Sequence, residues 1–405
     1  MRTLQSASLS PTAAAMPFDR LAAELDARRA AHLYRQHSLL DSPQGARVTV
    51  DGRELLNFCS NDYLGLANHP DIVAAAQAGA KRWGVGSGSA PLVAGHFSVH
   101  EAFEARAAAF VGKPAALSFV TGYMANLAVI TALAGHGDAV FGDKLNHASL
   151  NDACQLSRAT FRRFPHNDLA VLERLLTITP ARNKLIVVDG VFSMDGDAAP
   201  LAELLRLAER FDAWVYVDDA HGFGVLGDGR GSLVAAGLDS PRLIYMATLG
   251  KAAGVAGAFV AAEQLVIDYL INFSRPYIYT TAAPPLLAEA LLVSLDLIER
   301  ESWRRERILE HVASLQGSLA GRGLMASMTS IQPLEVDSNK VALGLSAALR
   351  EHGYWVAAIR PPTVPTPRLR IILSAAHSAG DVAKLGADLR QLLDRPLDQS
   401  PEQPA

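Results

Sequence analysis

From Ala139 to Ala261 the sequence repeats one pattern. A short apolar run rich in β-branched residues stops at Gly, Asp or Ala, and a longer Ala- and Leu-rich stretch at helical spacing follows. The candidate strands are Ala139-Gly142, Leu185-Asp189, Trp214-Asp218, Leu243-Ala247 and Gly257-Ala261; the helical patterns include Leu201-Glu209 and, ahead of the first run, Tyr123-Leu133. Parallel neighbours need long crossovers, usually helical, so this spacing predicts βαβ units in an α/β fold with a mainly parallel sheet between helices. At Pro284-Pro285 the pattern stops and an amphipathic stretch runs from Leu286 to Leu319, with charges from Glu299 to Arg307 in its middle. A domain boundary is expected there. The last hundred residues offer a strand at Arg368-Leu373 and a helix near Asp381-Leu393, enough for a small α/β lobe.

A chain of 405 residues, 50% hydrophobic and 19% charged, suits one large domain and a smaller one rather than a disordered or fibrous chain. Its formal charge of -4 gives no reason to expect nucleic acid or an anionic membrane as partner. The expected ligands are small molecules. Cys59 and Cys154 are too few for a disulfide framework or a four-ligand zinc site, which points to a reducing, cytoplasmic setting. The uncharged stretch Pro114 to Gly135 holds Pro114, Ser118, Thr121, Gly122 and Asn126, and reads as strand, turn and helix rather than as a membrane span. Residues 1 to 18 lack the apolar run of a secretory signal, Met16 offers an alternative start ahead of a helical pattern over Phe18 to Arg35, and Pro396 to Ala405 reads as a flexible tail.

In an open α/β sheet, ligands collect beyond the carboxyl ends of the strands. Four of those ends are chemically loaded. After the strand candidate at Trp214 come Asp218, Asp219 and His221. A carboxylate there can keep a pyridinium nitrogen protonated as an electron sink, with His221 bonded to a phenolic oxygen of the same ring. Equally, the acids can cap the next turn and His221 can lie on the surface. The second end runs into Thr248-Leu-Gly250-Lys251-Ala-Ala-Gly254. There Lys251 in apolar surroundings suits imine formation and Thr248 suits a phosphate, although a lysine in a Gly-rich loop is more often an exposed charge. The third is Ser118-Phe-Val-Thr121-Gly122, where free amides at a helix start suit a phosphate. The fourth carries Ser193, a donor for a phosphate or ring oxygen, or one polar residue of an ordinary turn. His147, after the Ala139 strand, can stack on an aromatic ring or be structural. No metal is expected, because the histidines lack the spacing or neighbouring carboxylates of a metal cluster.

Together, Ser60-Asn-Asp-Tyr-Leu-Gly65, Thr121-Gly-Tyr, Asn146-His-Ala-Ser149, Gly190-Val-Phe-Ser-Met-Asp-Gly196, Asp218-Asp-Ala-His-Gly222 and Thr248-Leu-Gly-Lys251 resemble the α-oxoamine synthases, a family of fold-type-I enzymes that use pyridoxal 5'-phosphate (PLP). The resemblance runs from Leu25 to about Leu393. It implies a PLP-dependent transferase fold type I, with a mostly parallel seven-stranded sheet in a large domain and a smaller C-terminal α/β domain. It implies a division into an N-terminal arm and helix (1–59), the PLP-binding domain (60–285), the small domain (286–395) and the tail (396–405).

By the same resemblance Lys251 carries PLP as an imine, His147 stacks on the ring, Asp218 holds the ring nitrogen and His221 the phenolic oxygen. Gly122, Tyr123, Ser193 and Thr248 surround the cofactor. Asn61 and Arg368 bind the amino-acid carboxylate, and Arg35, Arg360 and Thr363 line the acyl site. The implied reaction is a decarboxylating acyl transfer in a homodimer. Leu25-Asp-Ala-Arg-Arg29 and Ile359-Arg-Pro-Pro-Thr-Val-Pro365 resemble the members that join L-alanine to a pimeloyl thioester, carried by acyl carrier protein (ACP) or CoA. The alternatives are a glycine C-acetyltransferase or another member with the same catalytic set, or a PLP-binding protein without catalysis.

Overall fold

The structure is a computed structural model that describes residues 18–394. The Met16 start and the 396–405 tail lie outside the described residues. The large sheet has seven strands, in the spatial order Ala115–Phe119, Ala258–Ala262, Leu243–Thr248, Ala213–Asp218, Lys184–Asp189, Ala139–Asp143 and Thr160–Phe164. All neighbours are parallel except around Ala258–Ala262, which runs antiparallel to both of its partners. Each expected strand is present to within a residue. Thr160–Phe164 has no counterpart in the apolar pattern, because it is an edge strand whose Arg162 and Arg163 stay exposed.

The central strands are apolar on both faces because both are covered. Along Lys184–Asp189, Ile186 and Val188 join one core cluster while Leu185 and Val187 join the other. Helices Gly122–Leu133, Ala148–Leu156 and Gln264–Phe273 bury residues in the second cluster, and Ser98–Val111, Leu201–Arg210 and Pro285–Arg300 in the first. Burial of each such aliphatic side chain stabilises the fold by about 1.5–3 kcal/mol.

The amphipathic stretch beyond Pro284 is two helices, Pro285–Arg300 and Trp303–Ser318, separated at Glu301. The first lies on Pro70–Trp83, where a Cβ on Gly79 would stand 2.9 Å from the Leu286 Cα. That helix is therefore packed on residues before position 285. A small antiparallel sheet follows, with Arg368–Ile372 between Ile331–Glu335 and Ala357–Ile359. Within the expected N-terminal arm, Arg53–Asn57 pairs with Arg47–Val50 and, in parallel, with Tyr354–Trp355. The small lobe is thus joined from both ends of the described chain.

His166 pins two loops at the carboxyl edge of the sheet. Its Nδ1 is 3.2 Å from the buried Asp143 and its Nε2 is 2.7 Å from Asp197. Burial disfavours the charge, but the two carboxylates outweigh it and raise the pKa to about 10. A pKa raised in the folded state contributes stability that is full below the unfolded value near 6.5 and fades as pH rises through the folded one. The urea stability gap between wild type and His166→Gln should therefore be widest below about pH 6.5 and narrow towards pH 10; a gap that widens with pH would contradict the ion-pair assignment.

Candidate active site

Strand Leu243–Thr248 delivers Lys251 through a closed turn. Leu249 N–H donates to the Gly257 carbonyl at 2.8 Å, and Gly254 N–H to the Lys251 carbonyl at 2.9 Å. Gly254 has φ of +69°, and a Cβ there would stand 2.5 Å from the backbone of Leu66 and Ala67. Only glycine fits. Lys251 Nζ lies 2.9 Å from His221 Nε2. Burial, partly opposed by Asp218 and Asp189, lowers its pKa to about 8, so roughly a tenth is neutral amine at pH 7.

Asp218 ends the neighbouring strand, buried, with Oδ2 accepting from Asn126 Nδ2 and Oδ1 from the Ala220 amide at 2.8 and 3.1 Å. Asn126 also donates to Ser149 Oγ and accepts from the Tyr216 hydroxyl. Ser149 Oγ in turn lies 2.7 Å from His147 Nδ1. The backbone N–H of His147 is held at 2.6 Å by Asp189, which pairs in register with Asp218 on the next strand. His147 keeps an exposed face, and desolvation by the surrounding protein, with Lys251 nearby, holds its ring below the ordinary imidazole pKa despite Asp218. An exposed ring face over a buried carboxylate suits an aromatic ligand between them.

On the other side of Lys251, His221 is buried and neutral, because burial first, and then Lys251, Arg370 and His147, push its pKa well below the ordinary value. Its Nδ1 lies 2.6 Å from the Tyr63 hydroxyl, which is 3.2 Å from Asn61 Oδ1. Arg370 Nη1 donates to the same Asn61 oxygen at 3.1 Å, and its Nε to the Ser193 carbonyl at 2.7 Å.

At the start of helix Gly122–Leu133, Thr121 caps Met124 N–H and leaves the first amides free for an anion. Gly122 is required by packing, since a Cβ would stand 2.5 Å from Thr248 Cγ2. Thr248 Oγ1 is buried with no protein partner. An orphaned hydroxyl beside a helix N-terminus, a lysine of depressed pKa and a strand-end carboxylate fit PLP: Thr248 and the Gly122 amides for its phosphate, Lys251 for its carbonyl carbon, Asp218 for its ring nitrogen. Tyr123 points outward, with an exposed ring and a hydroxyl donated to Asp152.

Arg368 does not take the place expected of it. It is buried against Asp195 at 2.6 Å, the Met194 carbonyl at 3.2 Å and Thr366 Oγ1 at 3.0 Å, with Glu335 at 3.7 Å. Its charge is spent on holding the Ser193 loop to the small lobe. Arg370, two residues on and on the same face of the strand, is the cation beside Asn61 and His221. The second basic residue of the Arg368-Leu-Arg370 run was the available signal. Tyr63 stood inside a quoted motif, whereas Asn126 had no local signal at all.

The expected acyl residues converge. Arg35 Nη2 donates to Thr363 Oγ1 at 3.2 Å, Arg360 is bonded to the His32 carbonyl, and with Leu33, Ile359 and Pro361 they line one open pocket. Burial and the neighbouring Arg35 lower the Arg360 pKa, so an anion would relieve both guanidiniums. Among the described residues one set of metal-ligand types converges, His96 with Glu101 and Glu104, so this histidine does have neighbouring carboxylates. Glu101 lies 3.1 Å from His96, and Glu104 accepts from the Ser118 amide and hydroxyl.

Residues 53–389 match the aminotransferase class I and II family model. The chain is 58% identical over 380 residues to the 8-amino-7-oxononanoate synthase of Nitrosomonas europaea, covering 92% of this chain and 98% of that one. It is likewise 58% identical over 378 residues to that of Chromobacterium violaceum, covering 93% and 97%. Among solved structures, a serine palmitoyltransferase of S. paucimobilis with a PLP adduct bound superposes with a TM-score of 0.87 at 29% identity, covering 93% of this chain and 98% of that one. An 8-amino-7-oxononanoate synthase of Francisella tularensis gives 0.73 at 30% identity, covering 84% and 98%. This chain belongs to the class I and II aminotransferase family of PLP-dependent enzymes, in its α-oxoamine synthase branch.

Proposed function

We propose that the chain condenses L-alanine with a pimeloyl thioester, releasing carbon dioxide and the carrier thiol, to give 8-amino-7-oxononanoate for biotin biosynthesis. The observation that carries this is the presence of two sites in one chain: the Lys251, Asp218 and His221 cluster, and the basic pocket of Arg35, Arg360 and Thr363. Bound PLP supplies an electron-withdrawing ring conjugated to the amine of the substrate. Asp218 keeps a proton on the ring nitrogen, held in place by Asn126 and the Ala220 amide. Lys251, neutral in part because it is buried, takes the Cα proton of alanine. Arg370 and Asn61 bind the alanine carboxylate until it leaves as carbon dioxide. The Cα attacks the acyl carbon, the C–S bond breaks, the thiol departs with a proton, and once the carboxylate has left as carbon dioxide a proton from water replaces it on Cα. Arg35 or Arg360 takes the distal pimelate carboxylate, which acetyl lacks. ACP and CoA present the same thioester.

We further propose a homodimer. Ser87 Oγ and the Ser89 carbonyl tie the 87–89 segment to Ala282, and beside this junction Leu92, Val93, Phe273 and Tyr279 stay exposed. So many apolar side chains near one junction suit a second copy. A cytoplasmic location fits the two unpaired cysteines, Cys59 and Cys154.

Purified protein with L-alanine and a panel of acyl thioesters should release thiol fastest with pimeloyl. Lys251→Ala should lower turnover by about 1000-fold or more and lose borohydride-trappable PLP; preference for acetyl or succinyl, or wild-type turnover by the variant, would overturn the assignment. Arg370→Met should raise the KM for alanine about 10- to 100-fold, as loss of a charged hydrogen bond predicts, whereas Arg368→Met should chiefly lower the melting temperature. Light scattering at micromolar concentration should give twice the chain mass, and a monomer would exclude the second copy.

A further inference from the structure

His147 caps the start of helix Ala148–Leu156 with its own ring. The backbone N–H of Ser149, which can only donate, is aimed at His147 Nδ1 at 3.3 Å, and Ser149 Oγ lies 2.7 Å from the same nitrogen. Nδ1 therefore accepts and carries no proton. An imidazole with a bare Nδ1 is the neutral Nε2–H form, so the single proton sits on the far side of the ring from the helix. The Ser149 hydroxyl is ordered from behind. Asn126 must turn its NH2 group to the Asp218 carboxylate, and the Tyr216 hydroxyl donates to its carbonyl oxygen at 2.7 Å. The second proton of that amide goes to Ser149 Oγ at 2.8 Å, which leaves the hydroxyl proton for His147. Tyr216, Asn126 and Ser149 are all fully buried. We infer that Ser149 is a positioning residue: its hydroxyl, ordered by Asn126, holds the His147 ring with Nδ1 turned to the helix and Nε2–H turned to the ligand.

The carboxylate meant for the cofactor ring nitrogen and the imidazole meant for the cofactor ring face thus hang on the two protons of one amide. The charged and titratable groups around His147 are Asp218, Lys251, Asp152 and His221, with Asp189 at its backbone N–H. None of them is bonded to Nδ1. Lys251 Nζ is turned to His221, Asp152 accepts from the Tyr123 hydroxyl, and Asp218 accepts from Asn126 and the Ala220 amide. The ring keeps its proton on one nitrogen because burial, with Lys251 adding to it, holds its pKa below the ordinary value. The ligand half of this inference rests on the proposed PLP site; the setting of the ring rests on the protein alone.

Full-length protein labelled with 15N-histidine and free of cofactor reads the ring directly, with His147→Phe identifying its signals. Two-bond proton–nitrogen correlation should show His147 protonated on Nε2 in wild type. In Ser149→Ala, where only the longer amide contact is left, it should show a tautomer mixture or exchange broadening. In holoenzyme, Ser149→Ala should lower kcat/KM for alanine about 3- to 10-fold, the worth of one hydrogen bond, but less than about twofold in a His147→Phe background. Wild-type His147 protonated on Nδ1 would overturn the inference, even if Ser149→Ala failed to fold. An unchanged tautomer in Ser149→Ala, or an equal loss of activity in both backgrounds, would overturn it too and leave Ser149 as a packing residue. If alanine and pimeloyl thioester are not turned over while the ring behaves as expected, the substrate assignment falls and the Ser149 hold on His147 stands.

Discussion

Three neighbouring strands end in buried aspartates, Asp143, Asp189 and Asp218, and the architecture around the site follows from satisfying them. A buried carboxylate without partners is costly, so the chain after each strand must return donors to it. Asp143 receives the Leu145 and Asn167 amides and His166; Asp189 receives the His147 amide; Asp218 receives Asn126 and the Ala220 amide. The loops take their shapes from these demands. His147 and His221 are presented to a ligand because the residues beside them serve carboxylates.

The same burial tunes the chemistry. Burial lowers the Lys251 pKa to about 8 and keeps His221 neutral, while Asp218 accepts two hydrogen bonds. One low-dielectric floor thereby gives a lysine fit to accept a proton, an imidazole fit to donate a hydrogen bond and a carboxylate fit to stabilise a cation.

Much of this was legible in the sequence, and the limits have physical causes. The runs at Leu185, Trp214 and Leu243 announced themselves because strands covered on both faces are apolar throughout, whereas Thr160–Phe164 lies on an edge and is half basic. Lys251, Asp218, His221 and His147 were legible because strand ends in such a sheet meet at one place. Asn126 was not, since the carboxylate that explains it is 92 residues away. Arg368 and Arg370 share a face by strand periodicity, and sequence spacing does not say which one meets an acid from the other lobe. The helices at Pro285–Arg300 and Trp303–Ser318 read as one because both are amphipathic and the break at Glu301 involves neither glycine nor proline.

The Arg368–Ile372 strand also ties the two lobes. Arg368 and Arg370 hold Asp195 and the Ser193 carbonyl, and Ser327 and Thr329 hold the Gly196 carbonyl from the same lobe. The strand works as a calliper: one jaw closes on Asp195 through Arg368, and the other, about 6.6 Å further along, sets Arg370 beside Asn61 and His221. The gauge of the cleft between Arg368 and Arg370 is then set by the pitch of a β-strand. Lengthening a side chain would leave that gauge intact, but a single residue inserted between the two arginines would turn Arg370 to the opposite face of the sheet and leave the pocket without its jaw.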